Sequence, residues 1–281
     1  MTHPRPLIAL VGDLPALLRS GDPGLLSELR RAADVVGAVV VGAGGRPQQL
    51  DPVAAATSLT VRAPGLPALV SSDGLRDAPY NAARRFLSLD HLSGARSGVV
   101  FRSGDGDAER TAERIRVIRA LWNSWPVETL LADRERGVYA TTDGIRRIEH
   151  DGEHYRVAGA LNTPTSRQAE PVSLWHVTSE AELAAAGGLV DLVVVDDAAL
   201  ADAWAGSEAE GRPGLVSAGV EREDAALSLV RVESLPALQD VLDAARPLEP
   251  GVLSGTLRAR LGLPERRYDL TDKPLAFGGA R

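Results

Sequence analysis

Titratable side chains crowd at two places in this 281-residue sequence. Around Asp151-Gly152, the residues Glu149, His150, Glu153 and His154 bring two imidazoles and two carboxylates together, a set whose types suit a metal ion or proton transfer. Further on, His176 precedes Thr178 and Ser179, and Asp196 stands beside Asp197. Imidazole titrates near neutrality, so His176 is the best single candidate for acid/base work or cofactor contact; a hydrogen-bonded rim histidine is the plain alternative. Thr178 and Ser179 precede Glu180 and Glu182, and read equally as an N-cap or as hydroxyls holding a phosphate at a helix N-terminus. Spacing weakens the other sets. With Asp151-Gly152 in a two-residue type I′ turn, His150 pairs with Glu153 and His154 with Glu149 on opposite faces, so no shared metal is expected. Neighbours on a strand also point apart, so Asp196 and Asp197 do not share a ligand, and an N-cap role for Asp197 or its neighbour is expected.

Composition removes whole classes of chemistry. With no cysteine there is no disulfide, thiolate metal site or thiol nucleophile. Lys273 is the one lysine, which restricts Schiff-base chemistry to a position near the C-terminus. A net charge of −7 argues against nucleic acid or an anionic membrane as the main partner. No run approaches the roughly eighteen apolar residues of a membrane helix, and residues 1–6 lack a signal-peptide pattern, so a cytoplasmic protein is expected. The glycines of Gly42-Ala43-Gly44-Gly45 follow a strand, yet Pro47 stands where a dinucleotide fingerprint needs glycine or alanine and a helix start.

The elements that must position these residues alternate. Apolar runs at Leu7–Val11, Ala38–Val41, Ala68–Ser71, Val99–Phe101, Val172–Trp175, Leu192–Val195, Leu215–Ala218 and Ser228–Val232 read as strands. Helical patterns lie between them, among them Pro52–Leu59 with Asp51 as N-cap, Pro79–Leu92, Ala108–Trp122, Glu180–Ala186, Asp197–Ala205, a brief helix near Glu221–Leu227, and Leu235–Ala244. About eight β/α units predict a TIM-type (β/α)8 barrel, with an open doubly wound sheet as the alternative. The rhythm breaks between Val127 and Gln168, where a hairpin within about 138–160 is expected as an insertion between the fourth and fifth units; a tail is expected over about 265–281. One domain spanning 1–281 is the simplest organisation. In a barrel the site lies at the C-terminal ends of the strands, which brings forward Asp13, Ser71, Ser72, Arg102, Ser103, His176, Thr178, Ser179, Asp196 and Asp197.

Four stretches carry a resemblance. PYNAARRFLSLDHLSGARSG (79–98), Ile118–Trp125 with its Leu-Trp-Asn-Ser-Trp, the run from Ile148 to Val172, and Gly255–Pro264 with Thr-Leu-Arg and Leu-Gly-Leu-Pro follow one another as in the luciferase-like flavin-dependent monooxygenases. The match is to the branch of nitrilotriacetate, EDTA and dibenzothiophene-sulfone monooxygenases. The resemblance implies a barrel that takes reduced FMN from a separate flavin reductase and oxygenates a small organic substrate. It places Tyr80, Asn81, Ser103, His176, Thr178 and Ser179 around the flavin, with His176 and Asn81 as catalytic candidates, and a homodimer or a heterodimer with a related barrel is implied. This sequence departs from the pattern at Asn81, where histidine is usual, at Val99-Val100, at Thr111 and at Trp175-His176-Val177. Those departures motivate a second reading, a barrel that has lost flavin chemistry and serves as a binding or subunit protein.

Overall fold

The structure, a computed structural model, describes residues 5–44, 51–207, 211–220 and 222–277. Its first half runs β1 (Arg5–Leu10), α1 (Leu14–Ser20), α2 (Pro23–Ala32), β2 (Ala38–Val41), α3 (Pro52–Arg62), β3 (Ala68–Ser72), α4 (Pro79–Leu92), β4 (Ser97–Arg102) and α5 (Ala108–Asn123). Two short antiparallel ribbons follow, β5 (Leu130–Asp133) with β6 (Val138–Ala140), then β7 (His150–Asp151) with β8 (Arg156–Val157). The second half runs β9 (Val172–His176), α6 (Glu180–Ala185), β10 (Leu192–Val195), α7 (Ala198–Gly206), β11 (Gly214–Ala218), β12 (Leu227–Val232), α8 (Leu235–Ala244), α9 (Pro250–Leu253) and α10 (Leu257–Arg260).

Eight parallel strands close in the order β1-β2-β3-β4-β9-β10-β11-β12, the (β/α)8 barrel that the alternation predicts. Strands covered on both faces read as continuous apolar runs, and β2 and β10 are buried throughout. Period-two alternation divides their side chains. Leu7, Val40, Leu69, Val100, Leu174 and Val194 fill the barrel interior, while Ile8, Val41, Val70, Phe101, Trp175 and Val195 face the helices. Strands β4 and β9 approach so closely at Gly98 that a Cβ there would lie 2.4 Å from the Val172 carbonyl oxygen. At the N-terminal ends of the strands, Leu257, Leu261 and Leu263 from α10 and its exit pack into the interior cluster and plug the barrel.

Helix starts follow local chemistry. Asp51 accepts from the Val53 and Ala54 amides, Asp197 caps α7 and Ser179 caps α6. Other expectations change. Glu221 lies outside the described residues; beyond it, residues 223–224 form a turn rather than a helix, because Arg222 folds back onto Asp224 and Asp202 and β12 begins at Leu227. The turn assigned to Asp151-Gly152 is also wrong. Gly152 lacks the positive φ of a type I′ turn, and a four-residue loop, 152–155, joins β7 to β8 with His150 opposite Val157 and Asp151 opposite Arg156. Sequence did not foresee α1 or the ribbon β5–β6. The segment after Pro264 is strapped down as far as Phe277: Arg146 bridges Leu275, and the Ala276 amide donates to the Ile145 carbonyl. Gly45 and Pro47 lie outside the described residues.

Candidate active site

At the C-terminal ends of β3 and β4 a cavity of about 490 Å3 opens between the strand ends and the starts of α3 and α4. That volume suits a small-molecule site. Arg85 forms one wall, bridging Asp51 and Asp77. Burial pushes the Asp51 carboxyl up, but Arg85 and two amides outweigh it and hold the group below its ordinary value. On the strand side lie Ser71, Ser72, Arg102 and Ser103. The Ser103 hydroxyl oxygen is buried and has no hydrogen-bond partner among the described residues, an open position for a bound group. Beneath the β3–α4 connection Arg114 is buried, lies 5.8 Å from the Phe101 ring centroid and donates from Nη2 to Ser72 Oγ at 3.0 Å. Burial lowers the pKa of its guanidinium.

A second, inner cavity of about 50 Å3 sits at the top of the barrel interior, lined by apolar strand residues and by Arg102, His176 and Arg231. The His176 Nε2 lies 3.2 Å from Asp196 Oδ2, and Arg231 Nη2 donates to the same oxygen at 3.0 Å. Burial lowers the His176 pKa; Asp196 raises it, and the positive charges of Arg102 and Arg231 lower it further. Asp196 is pushed up by burial, yet His176 and Arg231 hold it below the usual carboxylate value. With Asp196 ionised, Nε2 carries the imidazole proton, and Nδ1 is left as the basic nitrogen of a neutral histidine.

Sequence reasoning gathered six residues, and the structure separates them. Ser103 lines the large cavity and His176 the inner one. Tyr80 is half-buried on the first turn of α4, where its hydroxyl donates to the Ala160 carbonyl at 3.3 Å; its neighbour Asn81 is exposed. The Thr178 amide and hydroxyl both donate to Glu182 Oε2, at 2.6 and 3.0 Å, while Ser179 Oγ accepts from the Glu182 amide at 3.3 Å. This is a reciprocal cap, with a carboxylate occupying the place an anion would take. Asp197 caps α7, so the two neighbouring aspartates do separate work. Arg231 was missed. Strand alternation could have found it, since Leu227, Leu229 and Arg231 share one face of β12 with Leu229 and Arg231 lining the inner cavity.

The ribbon's residues meet at a carboxylate from α5. His150 Nε2 lies 2.9 Å from Glu113 Oε1, and the His154 and Tyr155 amides donate to the same carboxylate at 3.0 and 2.9 Å. Burial raises the Glu113 carboxyl, but His150 and the two amides hold it below its ordinary value. Glu113 therefore fixes the ribbon to α5, and it sets the four-residue loop that local turn rules did not foresee. A Cβ on Gly152 would lie 2.1 Å from Glu113 Oε1, so a larger residue there would have to displace the carboxylate that holds the ribbon.

No family model matches the chain. Among known proteins, it is 33% identical over 265 residues to a pristinamycin IIA synthase subunit of Streptomyces pristinaespiralis, covering 88% of this chain and 92% of that one. It is 34% identical over 152 residues to nitrilotriacetate monooxygenase component A of Aminobacter aminovorans, covering 48% of this chain and 34% of that protein. Of solved structures, EDTA monooxygenase from Chelativorans sp. BNC1 superposes with a TM-score of 0.60 at 19% identity over 77% of this chain and 62% of that one, a likeness of fold. On the strength of the first match, which spans nearly the whole of both sequences, the chain belongs to the luciferase-like flavin-dependent monooxygenase family.

Proposed function

We propose that this chain is a monooxygenase that uses reduced FMN, supplied by a separate flavin reductase, to oxygenate a small organic substrate at the C-terminal mouth of the barrel. The observation that carries the reading is the mouth itself: a cavity of about 490 Å3 with an unpartnered buried hydroxyl, sharing Ser71 and Arg102 with the lining of an inner cavity that holds a hydrogen-bonded histidine. The size and the open Ser103 hydroxyl fit FMN, whereas Thr178 and Ser179 accept its phosphate only if the Glu182 carboxylate is displaced. Bound reduced flavin supplies the electrons for dioxygen chemistry. The chain's own part is to hold ligands beside Ser103, to keep the floor dry with Leu7, Val40, Leu174 and Val194, and to take or give a proton at His176 Nδ1. Asp196 and Arg231 are positioning residues that set the tautomer. Tyr80 and Asn81, on the first turn of α4, are in the lining of neither cavity, and their expected flavin contact is a matter for the flavin titration below. The name "component A" of one relative supports a partner that supplies reduced flavin, and a cytoplasmic setting follows from that supply.

A second reading is favoured by the occupied α6 N-terminus and by a relative named as one part of a synthase. In it the barrel has lost flavin chemistry and serves a related barrel in a heterodimer, where the first reading is compatible with a homodimer. Titration of the purified protein with oxidised FMN, and anaerobically with reduced FMN, separates the two. Binding of either form at micromolar concentration supports the first, and no binding up to high micromolar flavin removes it. If flavin binds, unchanged turnover in His176→Ala returns that histidine to a structural role.

A further inference from the structure

Between the two cavities at the mouth stands an arginine with no partner among the described residues. Arg102 ends β4, lines both cavities, and makes no hydrogen bond or ion pair to a described residue. Arg231 belongs to β12, which lies four strands away in the eight-strand ring and so on the opposite wall, and it lines the same inner cavity. Its partner is Asp196, which it shares with His176. Arg102 and Arg231, the latter half-exposed at the rim, thus both line one small void, and Asp196 is the carboxylate paired with Arg231. Burial and the two arginines hold the His176 pKa below its ordinary value, and the two guanidinium groups outnumber the carboxylate by one charge. The void is about 50 Å3, and since one water needs roughly 10–15 Å3, it has room for a planar group of a few heavy atoms but not for a ring system.

We infer that the inner cavity is a seat for the carboxylate of an organic acid, held between Arg102 and Arg231 with the remainder of the molecule extending past Ser103 into the large cavity. A carboxylate balances the excess with one negative charge and offers two in-plane oxygens to a guanidinium fork. A phosphate monoester brings more charge, about 1.5 to 2 units, in a bulkier tetrahedral group. Only the identification of this acid as the substrate rests on the monooxygenase reading.

Benzoate, its uncharged isostere benzamide, and inorganic phosphate are the probes, and the His176 imidazole followed by NMR is the reporter, assigned with H176Q. The groups facing that imidazole are Arg102 on β4, Asp196 after β10 and Arg231 on β12. An anion seated among them offsets the two arginines, so benzoate raises the His176 titration midpoint and benzamide leaves it unmoved. R102Q weakens benzoate about ten- to a hundredfold, the loss expected for a charged hydrogen bond, and R102K retains part of the affinity; thermal unfolding of each variant checks that it folds. Equal responses to benzoate and benzamide, or unchanged benzoate affinity in both R102Q and R231Q, overturn the inference. Tighter binding of phosphate than of benzoate overturns the carboxylate assignment. Flavin titration of the same samples keeps the two claims apart. A benzoate response without flavin binding upholds the seat and removes the monooxygenase reading, and flavin binding without a benzoate response does the reverse.

Discussion

Arg258 and Arg102 stand at opposite ends of one barrel and meet opposite surroundings. At the plugged end, Arg258 is 3% exposed; it donates to both oxygens of Asp191, at 2.7 and 3.1 Å, and to the Pro264 and Glu170 carbonyls. Beside it Arg119 pairs with Glu170 at 2.7 Å, and Gln168 joins Asp90 to the Ser97 carbonyl. Among the described residues of the open end, Arg102 has no such partner and the Ser103 hydroxyl has none. Buried charges are costly unless paired, and the closed end pairs its charges, Arg258 with Asp191 and Arg119 with Glu170, although Arg258 Nε, Asp90 Oδ2 and Ser166 Oγ have no partner there; what separates the two ends is the pairing of charge. Asp90, Asn123, Ser124, Gln168 and Arg258, all within the stretches that carry the resemblance, belong to the closed end. Of the departures from the pattern, His176 stands at the mouth, while Val99, Thr111 and Trp175 are buried.

The contrast can be broken most severely at Arg258. Arg258→Met leaves Asp191 buried without its main partner and should cost about 3–5 kcal/mol in denaturant unfolding, with partial recovery when Asp191→Asn is added. Burial raises the Asp191 carboxyl, but Arg258 and the Ser173 amide outweigh it, so its folded pKa is depressed. That contribution is complete above the unfolded carboxylate value and disappears as pH falls through the folded one; the acid limb of the stability curve should lose this component in Arg258→Met. A smaller effect is expected at the ribbon. Glu113→Ala unpairs the His154 and Tyr155 amides at about 1–3 kcal/mol, and hydrogen exchange should show those amides losing protection while barrel amides keep theirs.

Asp90 sharpens the comparison from within the closed end. Burial raises its pKa against opposing hydrogen bonds from Ser166, Ser97 and Gln168. Its contribution therefore runs the other way: it is present below the unfolded value and is lost as pH rises through the folded one. Asp90→Asn mimics the protonated form, and urea titrations at several pH values should find it at least as stable as the parent at pH 7, with that pH dependence gone. The smallest change belongs to the mouth. Ser103→Ala should alter stability by no more than about 0.5 kcal/mol, and a cost approaching that of Arg258→Met would abolish the distinction between the two ends.

What sequence made legible was whatever depends on neighbours along the chain. The strand runs, the caps at Asp51, Ser179 and Asp197 and the period of the helices follow from local propensity and alternation, and together they gave the barrel. The ribbon turn was misread because Glu113, some forty positions earlier, reshapes a loop that local chemistry would have closed in two residues. The segment before β12 failed as a helix for a similar reason, since Arg222 is claimed by Asp202 on α7. At the mouth, strand-end positions led to His176 and Ser103, each of which lines a cavity. The links among His176, Asp196 and Arg231 were not, because they join three strand ends that only barrel closure brings together.

The α10 plug gives traffic through this barrel a direction. With the far end filled by Leu257, Leu261 and Leu263, the interior is closed opposite the mouth, and the cavity holding His176 shares Arg102 with the larger one outside it. For an acid seated in the inner cavity as inferred above, that closure fixes an order: the deeper occupant enters first and leaves last.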